Sequence, residues 1–237
     1  AISPGPELAL RAKADLALES GLAATATQFY RDLLAKPGAD RAGLTIGLAT
    51  ALLEAGRAAE AEEALLAVGE PRSAAWHLRA GLAAAQLKKL DLARGELAAT
   101  RANELSAADH AWWNFLQGML ADLGTPREVS KANEFYTHAE NEAASATSEL
   151  ARARFQIAGE RVRFLLTPPT EAEIEAVKKN YRDMRGRSSV AYESAGNAVE
   201  MLRQVGRTGE AVSFLEGVLK ELPPTEREWT DKLRVLL

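Results

Sequence analysis

The chain has 237 residues, a formal net charge of -4 and no cysteine, which excludes a disulfide framework and thiolate chemistry and disfavours general nucleic-acid binding, a function that rests on a basic excess. Ala supplies roughly a fifth of the residues, well above ordinary usage, and β-branched and aromatic residues are thinly spread, so the material suits helices and leaves little for a sheet. No apolar run approaches the ~20 residues that a membrane span needs.

Ala1-Ile-Ser-Pro-Gly-Pro is predicted as an extended lead-in, since its prolines lack a donor and fix φ. A first helical hairpin follows over about 7–37, with Leu10, Ala14 and Ala17 on one face, Gly21 at the turn, and Ala26, Tyr30 and Leu33 on the second helix. The second, over 42–70, sets Leu48, Ala49 and Leu52 against Ala61, Leu65 and Val68 across the turn Gly56-Arg57. The third, over 73–104, opens after Ser73 and pairs Ala80, Gly81 and Ala84 with Leu90, Ala93 and Leu97; its turn, Lys88-Lys89, lacks a glycine. The fourth, over 107–145, carries Trp112, Trp113, Gln117, Gly118 and Ala121, ends its first helix at Gly124, and places Pro126 at the first position of the next.

The fifth hairpin, over 148–186, reads as Phe155, Ala158, Gly159 and Val162 against Ile174, Val177, Tyr181 and Met184, with Thr170 and Glu173 as a capping box. The sixth, over 189–222, is the clearest. Ala195, Ala198, Val199 and Leu202 share one face; Gly206 turns the chain, Thr208 caps the next helix, and Ala211, Val212, Leu215, Val218 and Leu219 repeat the face before Pro223-Pro224. Thr225 and Glu228 form a further capping box, and Trp229, Leu233 and Leu236 make 225–237 a capping helix or the start of another repeat. The start at Ala1 without Met and the apolar end read as cut, so the chain is expected to be one domain of a longer protein; its compartment stays open, with exported or periplasmic slightly favoured over cytoplasmic.

The stretch from Ala195 to Pro224 resembles a tetratricopeptide repeat: a small residue in the first helix, a Gly-containing turn, then Ala, a large apolar residue four later, and Pro at the end. The second-helix markers Ala26, Ala61, Ala93, Ala132, Val177 and Ala211 recur at intervals of 35, 32, 39, 45 and 34 residues, around a family period of about 34. The resemblance implies an all-α fold, a right-handed superhelix of about six antiparallel hairpins in a single domain over 1–237, with first helices lining a concave side. Other helical-hairpin arrays of similar period share much of this pattern.

Nothing in the sequence assembles chemistry. His77, His110 and His138 lie on separate segments with no ligand at metal spacing, Gly206-Arg-Thr-Gly209 lacks the Lys and strand of a phosphate loop, and Ser188, Ser189 and Thr167 have no His beside them. No enzyme, cofactor or metal is expected. The basic run Lys178-Lys179 to Arg182, Arg185 and Arg187 reads either as a patch for an acidic partner or as cations complementing a helix C-terminus.

The expected function is a non-enzymatic scaffold that binds a peptide or helix of a partner protein, with no nucleic acid; the apolar C-terminal face leaves room for self-association. The alternatives are a structural or spacer domain of a larger enzyme, transporter or envelope assembly, and a regulatory domain attached to a nucleic-acid-binding module. The resemblance implies that a ligand lies along the first helices. The candidate groove residues are Ile46, Leu53, Leu78, Leu82, Trp112, Phe115, Met119 and Leu123, continuing into Gln156, Glu160, Arg163, Glu193, Glu200 and Arg203. So many large apolar groups need a cover, either a partner segment or more of the same chain. Trp112 and Trp113 point about 100° apart on a helix and cannot share one seam; core packing of both and a split between seam and groove stay open.

Overall fold

Alanine-rich segments with an apolar stripe and a stop every 10–18 residues should form short helices that bury one face against the next. The computed structural model bears this out. It describes residues 6–143, 147–186, 190–224 and 227–237. These hold α1 (Pro6–Glu19), α2 (Ala23–Leu34), α3 (Arg41–Glu54), α4 (Ala58–Leu66), α5 (Ala74–Gln86), α6 (Leu90–Ala99), α7 (Ala107–Leu123), α8 (Val129–Glu142), α9 (Glu149–Leu166), α10 (Glu171–Met184), α11 (Val190–Gln204), α12 (Thr208–Glu221) and α13 (Arg227–Arg234). No strand occurs among the described residues, and no described helix is long and apolar enough to cross a membrane. The lead-in at Ala1–Gly5, Ser188-Ser189 and the Thr225–Glu228 capping box fall outside the described residues.

Two units divide the chain, Ala1–Gln156 and Ile157–Leu237. In the first, each helix from α1 to α8 packs on the next in sequence, and among the first helices α5 also touches α3 and α7. In the second, α10, α11, α12 and α13 pack in the same consecutive way, and α13 also lies on α11.

One turn recurs four times. At the end of α3, Gly56 N–H donates to Leu53 O and Arg57 N–H to Leu52 O, 2.8 Å away, with Gly56 at φ +76°. The same two bonds close α1 at Gly21-Leu22, α5 at Lys88-Lys89 and α11 at Gly206-Arg207. This is the left-handed helix stop that favours Gly. Lys88 adopts it at φ +59° without being Gly, so the hairpin whose turn lacked the expected glycine has the same geometry. Thr208 does not cap α12. It is the first helical residue, and Arg207 at the cap makes no side-chain cap bond and instead grips Glu210. Pro126 does not open α8 either; Glu128 precedes that helix, its N–H bonded to Ala121 O, and the longer helix α7 together with the longer loop after it accounts for the 39-residue interval. The Thr170–Glu173 capping box is present.

All six second-helix markers are buried: Ala26, Ala61, Ala93, Ala132, Val177 and Ala211. The small side chains let helices cross closely, and two crossings are closer still. A Cβ on Gly118 would stand 2.5 Å from the Tyr136 ring, and one on Gly47 2.5 Å from the Tyr30 ring. In the second unit Leu233 of α13 is buried in the core formed by Val199, Leu202, Leu215 and their neighbours, with Trp229 against Tyr192. The C-terminal helix covers the preceding hairpin.

Gly118→Ala drives a methyl into a rigid ring and should lower the unfolding free energy by about 1–3 kcal/mol. Gly217→Ala on the open side of α12, with nothing within 4 Å, should raise it by about 0.5–1 kcal/mol. Equal melting temperatures for the two variants would contradict the Gly118–Tyr136 crossing.

Candidate functional site

The face of the first helices is where the sequence places the groove. In the first unit Leu53, Leu78, Leu82, Trp112, Phe115 and Met119 are all buried, and Ile46 and Leu123 are half-buried. The cover comes from the same chain. Phe155, at the end of the second turn of α9, sits with its ring centroid 4.7 Å from Trp112 and 4.8 Å from Phe115, and Phe115 continues to Tyr136 at 5.4 Å. Arg154 beside it donates to Leu53 O at 2.6 Å and Glu54 O at 3.1 Å. Those are among the last carbonyls of α3, which have no partner inside the helix and mark its negative end. The expectation that these six side chains are exposed groove anchors is therefore corrected: they are buried, and Phe155 and Arg154 cover Trp112, Phe115 and the end of α3. Trp113 points elsewhere, half-buried with its edge on His110.

The polar members of the candidate set do not supply a matching surface. Gln156 and Glu200 are exposed, Glu160 is buried, and Arg163 and Glu193 are half-buried. Arg203 donates to Leu236 O and so ties α11 to the end of α13. The basic run is spent on ion pairs. Lys178 is buried between Glu175 at 2.8 Å and Glu210 at 2.5 Å, Lys179 pairs with Asp183, and Arg185 pairs with Glu221. Arg187 lies outside the described residues.

A buried polar cluster lies where α3, α5 and α7 meet the start of α9, and no motif announced it. Arg79 bonds Thr50 Oγ1 at 3.0 Å and forms an ion pair with Asp109. Glu54, the last residue of α3, is only 2 % exposed. Its carboxyl is pushed up to about 7, because burial outweighs a hydrogen bond with Ser148 and the charges of Arg154 and Arg79. Ser148 in turn accepts the Ala151 N–H at 3.0 Å and so caps α9. The legible signal was a charge at the end of the apolar run Ala51-Leu52-Leu53-Glu54, but its partners lie far along the chain.

The described residues of the first unit also enclose an opening. A cavity of about 340 Å³ lies between α6, α7 and the α7–α8 loop. Leu97, Leu120 and Phe135 give it half-buried apolar walls, Pro126 an edge, and Arg94 and Lys131 an exposed cationic rim. The histidines stand apart from it: His77 pairs with Glu96 at 2.7 Å, and His138 is exposed on α8.

No protein-family model, curated protein or solved structure matches the chain.

If Phe155 closes the core as described, Phe155→Ala should cost about 3–5 kcal/mol in a denaturant titration. A loss below about 1 kcal/mol would place the ring at the surface.

Proposed function

We propose that the chain is a non-enzymatic interaction scaffold built of tetratricopeptide-like hairpins, and that it takes a short segment of a partner protein at the α6–α7–α8 cavity. The observation that carries this reading is the composition of that cavity: three half-buried apolar residues, Leu97, Leu120 and Phe135, beneath two exposed cations, Arg94 and Lys131. An apolar side chain of the partner would fill the floor, and a neighbouring carboxylate would meet the rim, which mainly sets register and on-rate. Arg94 already holds Asp91 at 2.8 Å and Lys131 holds Glu128 at 3.3 Å. Both are exposed pairs of small worth, so a partner carboxylate can compete for the cations.

A second reading is favoured by the filled first-helix face: a structural or spacer domain of a larger assembly, whose hairpins are stabilised by their own contacts. The two separate on one experiment. Peptide display against the whole chain should enrich short sequences with a large apolar residue next to Asp or Glu, and Leu120→Arg should weaken their binding at least tenfold while circular dichroism stays helical. Failure to enrich any sequence, or enrichment indifferent to Leu120→Arg and Lys131→Glu, favours the spacer domain.

A further inference from the structure

We infer that the junction of α3 with the start of α9 is a proton-operated latch: residues 148–156 stay seated on α3 and α7 while Glu54 carries its proton, and loosen when it ionises. The geometry disfavours a charge at this position in two ways. Glu54 is enclosed, with one carboxyl oxygen, Oε2, making no hydrogen bond. It also stands at the C-terminal end of α3, the negative end of the helix dipole, where an anion is unfavourable.

The groups that face it come from each element around it. Arg79 reaches in from α5, with Asp109 of α7 beside it. Arg154 and Ser148 reach in from the α9 side, and Thr50 of α3 holds Arg79. Arg79 is directed to Thr50 and Asp109, and Arg154 donates to the carbonyls of Leu53 and Glu54. These two cations therefore have acceptors besides the Glu54 carboxylate.

The direction of the linkage follows. With residues 148–156 seated, the acid holds its proton up to about pH 7; with them lifted away, water returns and it ionises in the ordinary glutamate range. The proton passes to solvent. Acid therefore favours the seated state, the preference is lost as pH rises from the ordinary range to about 7, and nothing further is lost above that. What the latch covers, through the ring of Phe155, is Trp112 and Phe115. Loosening bares these two rings of α7.

Amide hydrogen exchange of the intact chain tests this, with the rates of peptides covering 148–156 corrected for intrinsic exchange and referred to α4. In the wild type the corrected rate should rise on the order of tenfold between about pH 5.5 and about pH 7.5, then level off. Glu54→Gln, which keeps the amide hydrogen-bonding capacity without the charge, should hold the slow rate across that range. A wild-type rate that does not change with pH overturns the latch, as does an equal pH response in Glu54→Gln. Should Glu54→Gln not fold, the wild-type profile against α4 decides alone.

Discussion

Two backbone hydrogen bonds, made where a first helix ends, set the geometry on which the rest of this chain depends. In each of the four matching turns the residue that donates back to the third-last residue of the first helix is also the residue preceding the next helix: Leu22, Arg57, Lys89 and Arg207. The chain therefore reverses within three residues, and the relative setting of the two helices is fixed by bonds that do not depend on side-chain identity. Each such bond contributes only about 1 kcal/mol net. The larger energy comes from what the reversal forces together, a seam in which Ala26, Ala61, Ala93, Ala132, Val177 and Ala211 are buried. Outside the seam, ion pairs join neighbouring second helices. Glu60 takes Arg57 at 2.6 Å and Arg31 at 2.8 Å, and Lys89 takes Glu62 at 2.7 Å. They are exposed and add little energy, but they agree in register with the seam.

The first-helix face shows how the same array can close itself. A row of large apolar side chains on α3, α5 and α7 needs a cover, and the cheapest one in entropy is already tethered. Phe155 provides the apolar part and Arg154 the polar part, its guanidinium directed at carbonyls of the last turn of α3. Burying Glu54 in the same place introduces a charge that the site disfavours, so packing and protonation are linked there.

The helices and most turns were legible in the sequence because they rest on local signals: Gly21, Gly56 and Gly206 at reversals, Ser73 and Ser106 at helix starts, and Thr170 with Glu173. The Lys88 turn was legible only through its flanking faces, since a lysine hides the left-handed conformation that a glycine would advertise. Pro126 misled, because its fixed φ suits a loop as well as a first helical turn. The candidate groove failed for a different reason. An apolar residue off the seam looks the same whether it meets a partner or another part of its own chain, and here the cover is Arg154 and Phe155, about a hundred residues from Leu53. Gly47 was missed likewise, because only Tyr30 on the preceding hairpin explains it.

The Gly47–Tyr30 and Gly118–Tyr136 crossings bear on how such a chain can diverge. In each, the space one residue gives up is occupied by the ring of the other, so neither position can change size alone without a void or a clash. Tyr30 is further held by its hydroxyl, which donates to Asp15 at 2.6 Å, so three positions on three helices are tied there. Relatives of this chain should therefore exchange glycine and tyrosine as pairs, appearing together or being lost together. A pattern matched one position at a time passes over that covariation.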